Sequence, residues 1–296
     1  MKRLIYLLLV IPLLFASCSN NEEVAGEETV QVSFCTELPG RIGTRSTGDL
    51  NVNKVVCAVF ENGTEINNLR EVIDVAASGT IVYAPRLIKG RTYNIVFWAM
   101  KNDCYDVTDL TAIERASSAP ESDYECFTAS VQVTVTGSTS ETVTLTRPCA
   151  QLNLGVTQDD WNTVVNTFNM TPNSIVVNVT GKDTFNALRG TATGSETNVT
   201  RTMTVSGSDL VVDGITYKSI AMCYIYPETG QTTADITYTL YDQSYNVIRQ
   251  DATIQNVPLQ ANYRTNVVGG LLIGTITYTI TFNANFGSED NNKVIQ

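Results

Sequence analysis

The chain of 296 residues lacks histidine entirely, and positive charge is scarce, with 19 lysines and arginines against 30 aspartates and glutamates. Without histidine, the Ser-His-Asp and Cys-His catalytic arrangements are excluded, together with the commonest metal ligand. A formal net charge of −11 disfavours nucleic-acid binding, because phosphate contacts require clustered lysine and arginine. We therefore expect a protein that is not an enzyme and has no catalytic residues, cofactor, metal or nucleic-acid partner.

Long apolar runs are also missing, except at the N-terminus, where residues 4–15 are apolar. That run is shorter than the ~20 residues that a bilayer-spanning helix needs. Lys2 and Arg3 precede it and small residues follow it, which predicts a secretory signal peptide over residues 1–17. A transmembrane anchor is therefore not expected.

The end of this signal resembles a bacterial lipobox, FASC at residues 15–18, in which Cys18 is lipidated and becomes the first mature residue. The polar and acidic residues 19–23, SNNEE, resemble the export tag of Bacteroidetes surface lipoproteins. We expect an outer-membrane lipoprotein at the cell surface, joined to its lipid by an acidic linker over residues 18–28. Periplasm-facing anchoring is the alternative.

The remaining composition predicts an all-β fold, because valine and threonine are abundant, turn residues recur and long helical periodicity is missing. In the first half, Asn62-Gly63 predicts a hairpin turn, and residues 107–116 predict the one helix. The strands predicted there cover residues 30–34, 54–60, 79–83, 92–100, 129–136 and 142–146.

In the second half, Thr157 predicts the cap of a short helix whose first turn carries Asp159 and Asp160. Arg147-Pro148 indicates a boundary between two antiparallel β-sandwich domains, residues 29–147 and 148–296. The strands predicted in the second domain cover residues 150–154, 174–179, 201–205, 219–226, 234–241, 247–254 and 275–282.

Six cysteines remain if Cys18 carries lipid, an even number in an exported protein. Six cysteines allow 15 pairings, and the sequence does not choose among them. Burial as small apolar side chains is the alternative. If disulfides form, Cys104–Cys126 is the favoured pair, because a loop-like segment separates them.

Two stretches resemble a known family. They are RPCAQLNLG at residues 147–155 and VPLQANYRTNVVGGLL at residues 257–272. They are similar to the opening and closing motifs of the C-terminal domain in Bacteroidales fimbrillins, the FimA/Mfa-like pilus subunits. Gly270 and Ala261 stand where the family commonly has asparagine and a basic residue. The resemblance implies two transthyretin-like β-sandwich domains with short helices in the connections.

The resemblance also implies assembly by strand exchange. An arginine-specific protease would cut the loop after the first strand, at Arg45 or, second, at Arg41. The removed strand would carry Val30, Val32 and Phe34. Its loss would leave a groove that accepts an extended strand through unpaired backbone groups and side-chain pockets.

The strand that fills the groove would come from the C-terminal segment of a neighbouring fimbrillin subunit. Residues 275–282 alternate between apolar residues on one face and threonines on the other, and residues 287–296 would be the flexible end. The donor side chains would be Ile276, Tyr278, Ile280 and Phe282.

The cut would lie between Cys35 and Cys57, so a bridge between them would tether the removed strand. The interpretation therefore requires that these two cysteines are not paired. Without the resemblance, Arg41 and Arg45 would be ordinary loop charges, and residues 275–282 an ordinary sandwich strand.

Other interpretations remain open. The aromatic side chains of Trp98, Trp161 and Tyr224 could form a sugar platform of a surface glycan-binding lipoprotein that does not polymerise, or could pack in the core. The carboxylates spaced every third residue from 103 to 109 could bind calcium, but they lack the glycine and glutamate of a calcium loop. A glycosidase would need a carboxylate pair that nothing in the sequence picks out.

Overall fold

The structure is a computed structural model, and it describes residues 27–37, 52–75, 80–116, 119–284 and 293–295. The predicted signal peptide, the lipidation site Cys18 and the predicted cleavage sites Arg41 and Arg45 lie outside these residues.

The first half of the described chain forms mostly short strands. Between β2 and β3, Asn62 and Gly63 have φ angles of 51° and 82°, as a two-residue hairpin turn requires. The strands are β1 (Thr29–Glu37), β2 (Lys54–Glu61), β3 (Thr64–Glu65), β4 (Glu71–Asp74), β5 (Thr80–Tyr83), β6 (Arg86–Ile88), β7 (Thr92–Met100), β8 (Tyr105–Asp106), β9 (Ile113–Arg115), β10 (Phe127–Thr134) and β11 (Thr139–Thr144), with 3-10 turns at Asn67–Leu69 and Glu121–Tyr124.

The second half has longer strands and one short helix, α1 (Gln158–Asn162), which continues into a π-helical turn at Thr163–Thr167. The Oγ1 of Thr157 accepts a hydrogen bond from the backbone N–H of Asp160, 3.2 Å away, so the predicted cap is present. The strands are β12 (Ala150–Val156), β13 (Pro172–Asn186), β14 (Thr191–Thr204), β15 (Asp209–Val212), β16 (Ile215–Ile225), β17 (Thr232–Asp242), β18 (Val247–Leu259), β19 (Arg264–Gly270), β20 (Thr277–Asn283) and β21 (Lys293–Ile295).

Each half contains two sheets that face each other across an apolar core. In the first half, one sheet has the order β11-β1-β5 with β6 also paired to β1, and the other has the order β10-β7-β2-β3 with β4 paired to β2. In the second half, one sheet has the order β15-β16-β12-β19-β20-β21. The facing sheet has the order β18-β17-β13, with β14 also paired to β13.

A third core joins the two halves. The β8–β9 hairpin belongs to the first half of the chain but pairs with β13, where Ile113 lies opposite Phe185. Around it, Trp98 contacts Tyr105 at 5.3 Å between ring centroids and Phe185 at 5.6 Å. The two sandwiches therefore share buried aromatic surface as well as a peptide connection.

The all-β prediction is confirmed, and the predicted strands recur with shifted ends. The helix predicted over residues 107–116 is wrong, because that segment forms turns and β9. Carboxylate oxygens of Asp106 and Asp109 accept hydrogen bonds from the backbone N–H groups of Thr108 and Thr111, at 2.9 and 2.7 Å. Such local bonds compete with helix formation and favour turns.

Candidate functional site: the first strand and its groove

The first strand lies in the interior of its sheet. It pairs in parallel with β11, from Val32 opposite Thr139 to Glu37 opposite Thr144. On its other side it pairs antiparallel with β5 and, nearer its start, with β6. Removing β1 would therefore leave unpaired backbone groups on both walls of an empty slot.

The inward side chains of β1 fill the core of the first sandwich. Val32, Phe34 and Thr36 are all fully buried, and Val30 is partly buried against the same core. Phe34 contacts Tyr83 and the ring of Phe97, with centroids 6.5 and 6.1 Å apart. Burying one such apolar side chain stabilises a fold by about 1.5–3 kcal/mol, so β1 is an integral part of this core.

One buried group of β1 is poorly accommodated. The Oγ1 of Thr36 is buried and has no hydrogen-bond partner among the residues that the structure describes. An unsatisfied buried hydroxyl of this kind costs about 1–3 kcal/mol. The strand therefore carries a defect at a position where the shape of valine would fit.

The start of β1 is held by charges at the surface. Glu27 forms an ion pair with Arg91, and Glu28 forms one with Lys89 at 3.1 Å. The ion pairs with Glu27 and Glu61 raise the pKa of Arg91 above its ordinary value. Because these side chains are exposed, the pairs add little stability and orient the chain where it enters the sheet.

The segment that carries the predicted cleavage sites follows β1 directly. Residues 38–51 separate the end of β1 from Val52, and Arg41 and Arg45 belong to that segment. Within the described chain, no peptide connection other than that segment joins β1 to the strands that follow it. A cut there would leave β1 attached by hydrogen bonds and side-chain packing alone.

The two cysteines on either side of this segment are free thiols. Cys35 lies on the outward face of β1, opposite the exposed Val82 of β5. Cys57 lies on the facing sheet and is buried in the core, where burial raises the pKa of its thiol. Because Cys35 points away from the core, the two thiols do not face each other.

The predicted donor residues lie within the sheet of the second sandwich. β20 pairs with β19 over seven residues and with β21 on its other side. Ile280 packs in the core, and Phe282 stacks on Tyr263 with centroids 4.6 Å apart. Ile276 is partly buried before the strand begins, and Tyr278 is 39% exposed.

A ladder of polar side chains beside β20 was not predicted from the sequence. The Nδ2 of Asn153 donates to Oδ1 of Asn266 at 2.7 Å, and Nδ2 of Asn266 donates to Oγ1 of Thr281 at 3.0 Å. All three residues are buried. The alternation of residues 275–282 predicted that the threonines lie on the face opposite the apolar residues. One of them, Thr281, is fully buried and completes this ladder.

The residues proposed for a sugar platform do not form one. Trp98 is fully buried and Tyr224 is 7% exposed, while Trp161 packs against the core of the second sandwich. An aromatic face buried in a core is not available for stacking on a sugar ring.

The three candidate calcium ligands have separate roles. Asp103 forms an ion pair with Lys54 at 2.9 Å, whereas Asp106 and Asp109 cap backbone turns. The hydrogen bonds to Thr108 hold the pKa of Asp106 below its ordinary value. Among the described residues no group of three or more cysteine, aspartate or glutamate side chains is arranged to hold a metal.

The cysteines of the described chain are all thiols in this structure, so the Cys104–Cys126 disulfide favoured by the sequence is not formed in it. The Sγ of Cys104 instead donates to the backbone oxygen of Asp123, 3.3 Å away. Cys126 lies in the same buried core as Cys149, whose thiol interacts with its own. The loop between residues 104 and 126 therefore turns Cys104 towards its own backbone.

Long apolar helices are missing from the part of the chain that the structure describes, and none of its helices could cross a membrane.

The structure thus defines a class of protein with two joined β-sandwiches. In the first sandwich β1 is an interior strand, and the segment that follows it, residues 38–51, carries Arg41 and Arg45. The chain belongs to the Family of unknown function (DUF6562), whose model matches residues 21–296. No curated protein matches the chain.

Solved structures to which the chain is similar include proteins from Bacteroides and Porphyromonas species. One is a candidate cell adhesion protein from Bacteroides uniformis, 12% identical, with a TM-score of 0.51 over 91% of this chain and 98% of that one. A second is the fimbrial anchor protein Mfa2 from Porphyromonas gingivalis, 10% identical, with a TM-score of 0.43 over 86% of this chain and 98% of that one. At 12% identity the likeness to the Bacteroides uniformis protein concerns the fold alone.

Proposed function

We propose that the protein is a structural or accessory subunit of a cell-surface fimbria that contributes to adhesion, does not act as an enzyme, and is assembled by protease-triggered strand exchange. The observation that carries the proposal is the interior position of β1, which pairs on both sides and precedes residues 38–51. The fold shared with the candidate adhesion protein from Bacteroides uniformis supports it. The fimbrillin-like motifs at residues 147–155 and 257–272 support it as well.

In this proposal the chain is exported as a lipoprotein and held at the outer membrane by lipid on Cys18. An arginine-specific protease then cuts after Arg45 or Arg41. Because β1 lies on the lipid side of the cut, its departure would release the subunit from the membrane and open the groove in one event.

A neighbouring subunit would fill the groove with its C-terminal segment. β21 is the edge strand of its sheet and pairs only with β20 among the described residues, so it can detach at low cost. β20 can follow only by breaking its pairing with β19 and the Asn266–Thr281 hydrogen bond. Donation of Ile276, Tyr278, Ile280 and Phe282 therefore requires that the groove of the neighbour replaces those contacts.

The test is cleavage of the full-length chain by an arginine-specific protease, followed by N-terminal sequencing and electron microscopy. We expect a new N-terminus at Ser46 or Ile42, and filaments that form only after the cut. A chain that lacks residues 287–296 should be cut normally and should polymerise poorly. Cut protein that stays monomeric with a vacant groove would overturn the proposal.

The matched variants are Arg45→Ala with Arg41→Ala, and Arg189→Ala as control. Arg189 is exposed in the turn between β13 and β14. The Arg189→Ala variant therefore tests whether the loss of any exposed arginine is enough to block cutting and assembly. We expect the double variant to resist cutting and assembly, and Arg189→Ala to behave as the wild type. Filaments from the uncut double variant would show that cleavage is not the trigger.

A further inference from the structure

A pair of buried cysteines, Cys126 and Cys149, lies in the core where the two halves of the chain meet. Cys126 immediately precedes β10 of the first sandwich, and Cys149 immediately precedes β12 of the second. An antiparallel bridge between Thr128 and Thr146, with N···O distances of 2.8 and 3.0 Å, aligns the two segments. This alignment brings residues 126 and 149 to the same end of the bridge.

The surroundings fix both side chains. Cys126 and Cys149 are 0% and 1% exposed and belong to the core that joins the two halves. Just outside that core, the Nε of Arg147 donates to Oε1 of Glu125 at 2.9 Å. The backbone N–H of Asn262 donates to the oxygen of Cys149 at 2.9 Å. Both thiols are thus buried in the same core, and hydrogen bonds fix the segments that carry them.

We propose that Cys126 and Cys149 form a disulfide that locks the two sandwiches together, and that it forms during folding, before the shared core closes. The structure holds the pair as thiols, which corresponds to the reduced protein. The inference requires the export that is part of the proposed function, because disulfides persist in oxidising compartments. It does not require strand exchange.

The chemistry is thiol–disulfide exchange with a disulfide oxidant, either oxidised glutathione or the disulfide of an oxidoreductase. One cysteine, as thiolate, attacks a sulfur of the oxidant, breaks the S–S bond of the oxidant, releases its first thiol and forms a mixed disulfide. The other then attacks the mixed disulfide and expels the second thiol of the oxidant. Two protons leave the protein, and the oxidant takes up the two electrons.

The burial of the pair determines when the bond can form. The thiolate is the attacking species, and burial raises the pKa of Cys126 well above its ordinary value. In the folded, reduced protein the thiol of Cys126 is therefore protonated, and burial shields both side chains from the oxidant. In the unfolded chain they ionise and react as ordinary cysteines.

The test is refolding of the full chain in a mixture of oxidised and reduced glutathione, followed by denaturation and alkylation with iodoacetamide. A glutamate-specific protease cuts after Glu141 and so separates the two cysteines. We expect a linked pair of peptides containing Cys126 and Cys149, lighter than their sum by two hydrogen atoms and separated by reduction. Alkylation of both cysteines, or linkage of either to another cysteine, would overturn the proposal.

Two comparisons sharpen the result. Cys149→Ala should leave Cys126 alkylated, whereas Cys223→Ala, which removes a buried thiol from the core of the second sandwich, should leave the linked pair intact. If either variant does not fold, the wild-type peptides still decide the pairing. Oxidant added after folding should act much more slowly than oxidant present during refolding, and equal rates would contradict formation before the core closes.

Discussion

The strands β1, near the start of the described chain, and β20, near its end, differ in how they are held. β1 fills the interior of a core with Val32 and Phe34, yet it connects to the following strands only through residues 38–51. β20 also has neighbours on both sides, but it follows β19 closely in the chain and is tied by a buried polar ladder. A strand can therefore be central in packing and still be joined to the following strands by one segment of the chain alone.

The largest effect expected concerns cleavage itself. A cut between β1 and Val52 turns an intramolecular strand into a bound fragment, so the stability of the cut protein becomes dependent on concentration. We expect the urea midpoint, followed by the fluorescence of the buried Trp98, to rise with protein concentration after cleavage and not before. A midpoint that stays independent of concentration after the cut would show that β1 contributes little.

Truncating one aromatic residue in each strand should separate the two environments. Phe34→Ala should lower the free energy of unfolding by about 3–5 kcal/mol, because it opens a cavity against Tyr83 and Phe97. Phe282→Ala should cost less, about 1.5–3 kcal/mol, because Phe282 stacks on one ring, that of Tyr263. Chemical denaturation measures both, and Val82→Ala, at an exposed position, serves as control. Equal losses in the free energy of unfolding would contradict the expectation that Phe34 is more tightly packed than Phe282.

Replacing Thr281 tests the ladder that ties β20. Thr281→Val keeps the shape but removes the acceptor of the Nδ2 of Asn266. We expect a loss of about 1–3 kcal/mol in the free energy of unfolding, because a buried donor is left unpaired. An unchanged urea midpoint would mean that the ladder does not hold the strand.

The same substitution in β1 should have the opposite sign. Thr36→Val removes a buried hydroxyl that has no partner in the described chain, so we expect stabilisation by about 1 kcal/mol. After cleavage it should also slow the loss of the β1 fragment, which size-exclusion chromatography can follow. Destabilisation would show that the Thr36 hydroxyl is satisfied in solution.

The smallest effect concerns acid sensitivity away from both strands. The side-chain hydrogen bond from Asn246, more than the backbone bonds of the same turn, holds the pKa of Asp242 below its ordinary value. A lowered pKa in the folded state stabilises the protein above the unfolded pKa of about 3.9 and loses that effect as pH falls through the folded value. Asn246→Ala should therefore lower the urea midpoint at pH 7 and match the wild type in strong acid.

This titration also serves as a control for the cut. Asp242 ends β17 in the second sandwich, so cleavage near β1 should leave the pKa of its carboxyl unchanged. Carboxylate NMR of cut and uncut protein measures this directly. A shift of the pKa on cleavage would show that the two sandwiches are coupled across their shared core.

The sequence predicted the fold class well because period-two alternation and turn residues are local signals. It recovered β7 with its observed bounds, and the Asn62-Gly63 turn. It missed β9, because Asp106 and Asp109 bind their own backbone and because β9 is completed by β13, far along the chain. Non-local pairing of this kind leaves no periodic pattern in a short segment.

Within the candidate site, the sequence identified β1 as a strand but could not reveal its interior position, which depends on the parallel pairing with β11 more than a hundred residues away. The sequence could not predict which cysteines lie close together either. Spacing favoured Cys104–Cys126, whereas the structure places Cys149 beside Cys126 through a bridge between Thr128 and Thr146.

The pairing of β1 on both sides has a mechanical consequence. A pull along the axis of the strand in this slot loads the parallel bonds to β11 and the antiparallel bonds to β5 and β6 at the same time. Those bonds then fail by shear, together, whereas an edge strand pulled sideways opens one bond after another. A strand between β11 and β5 should therefore withstand a larger force along its axis than a force perpendicular to it.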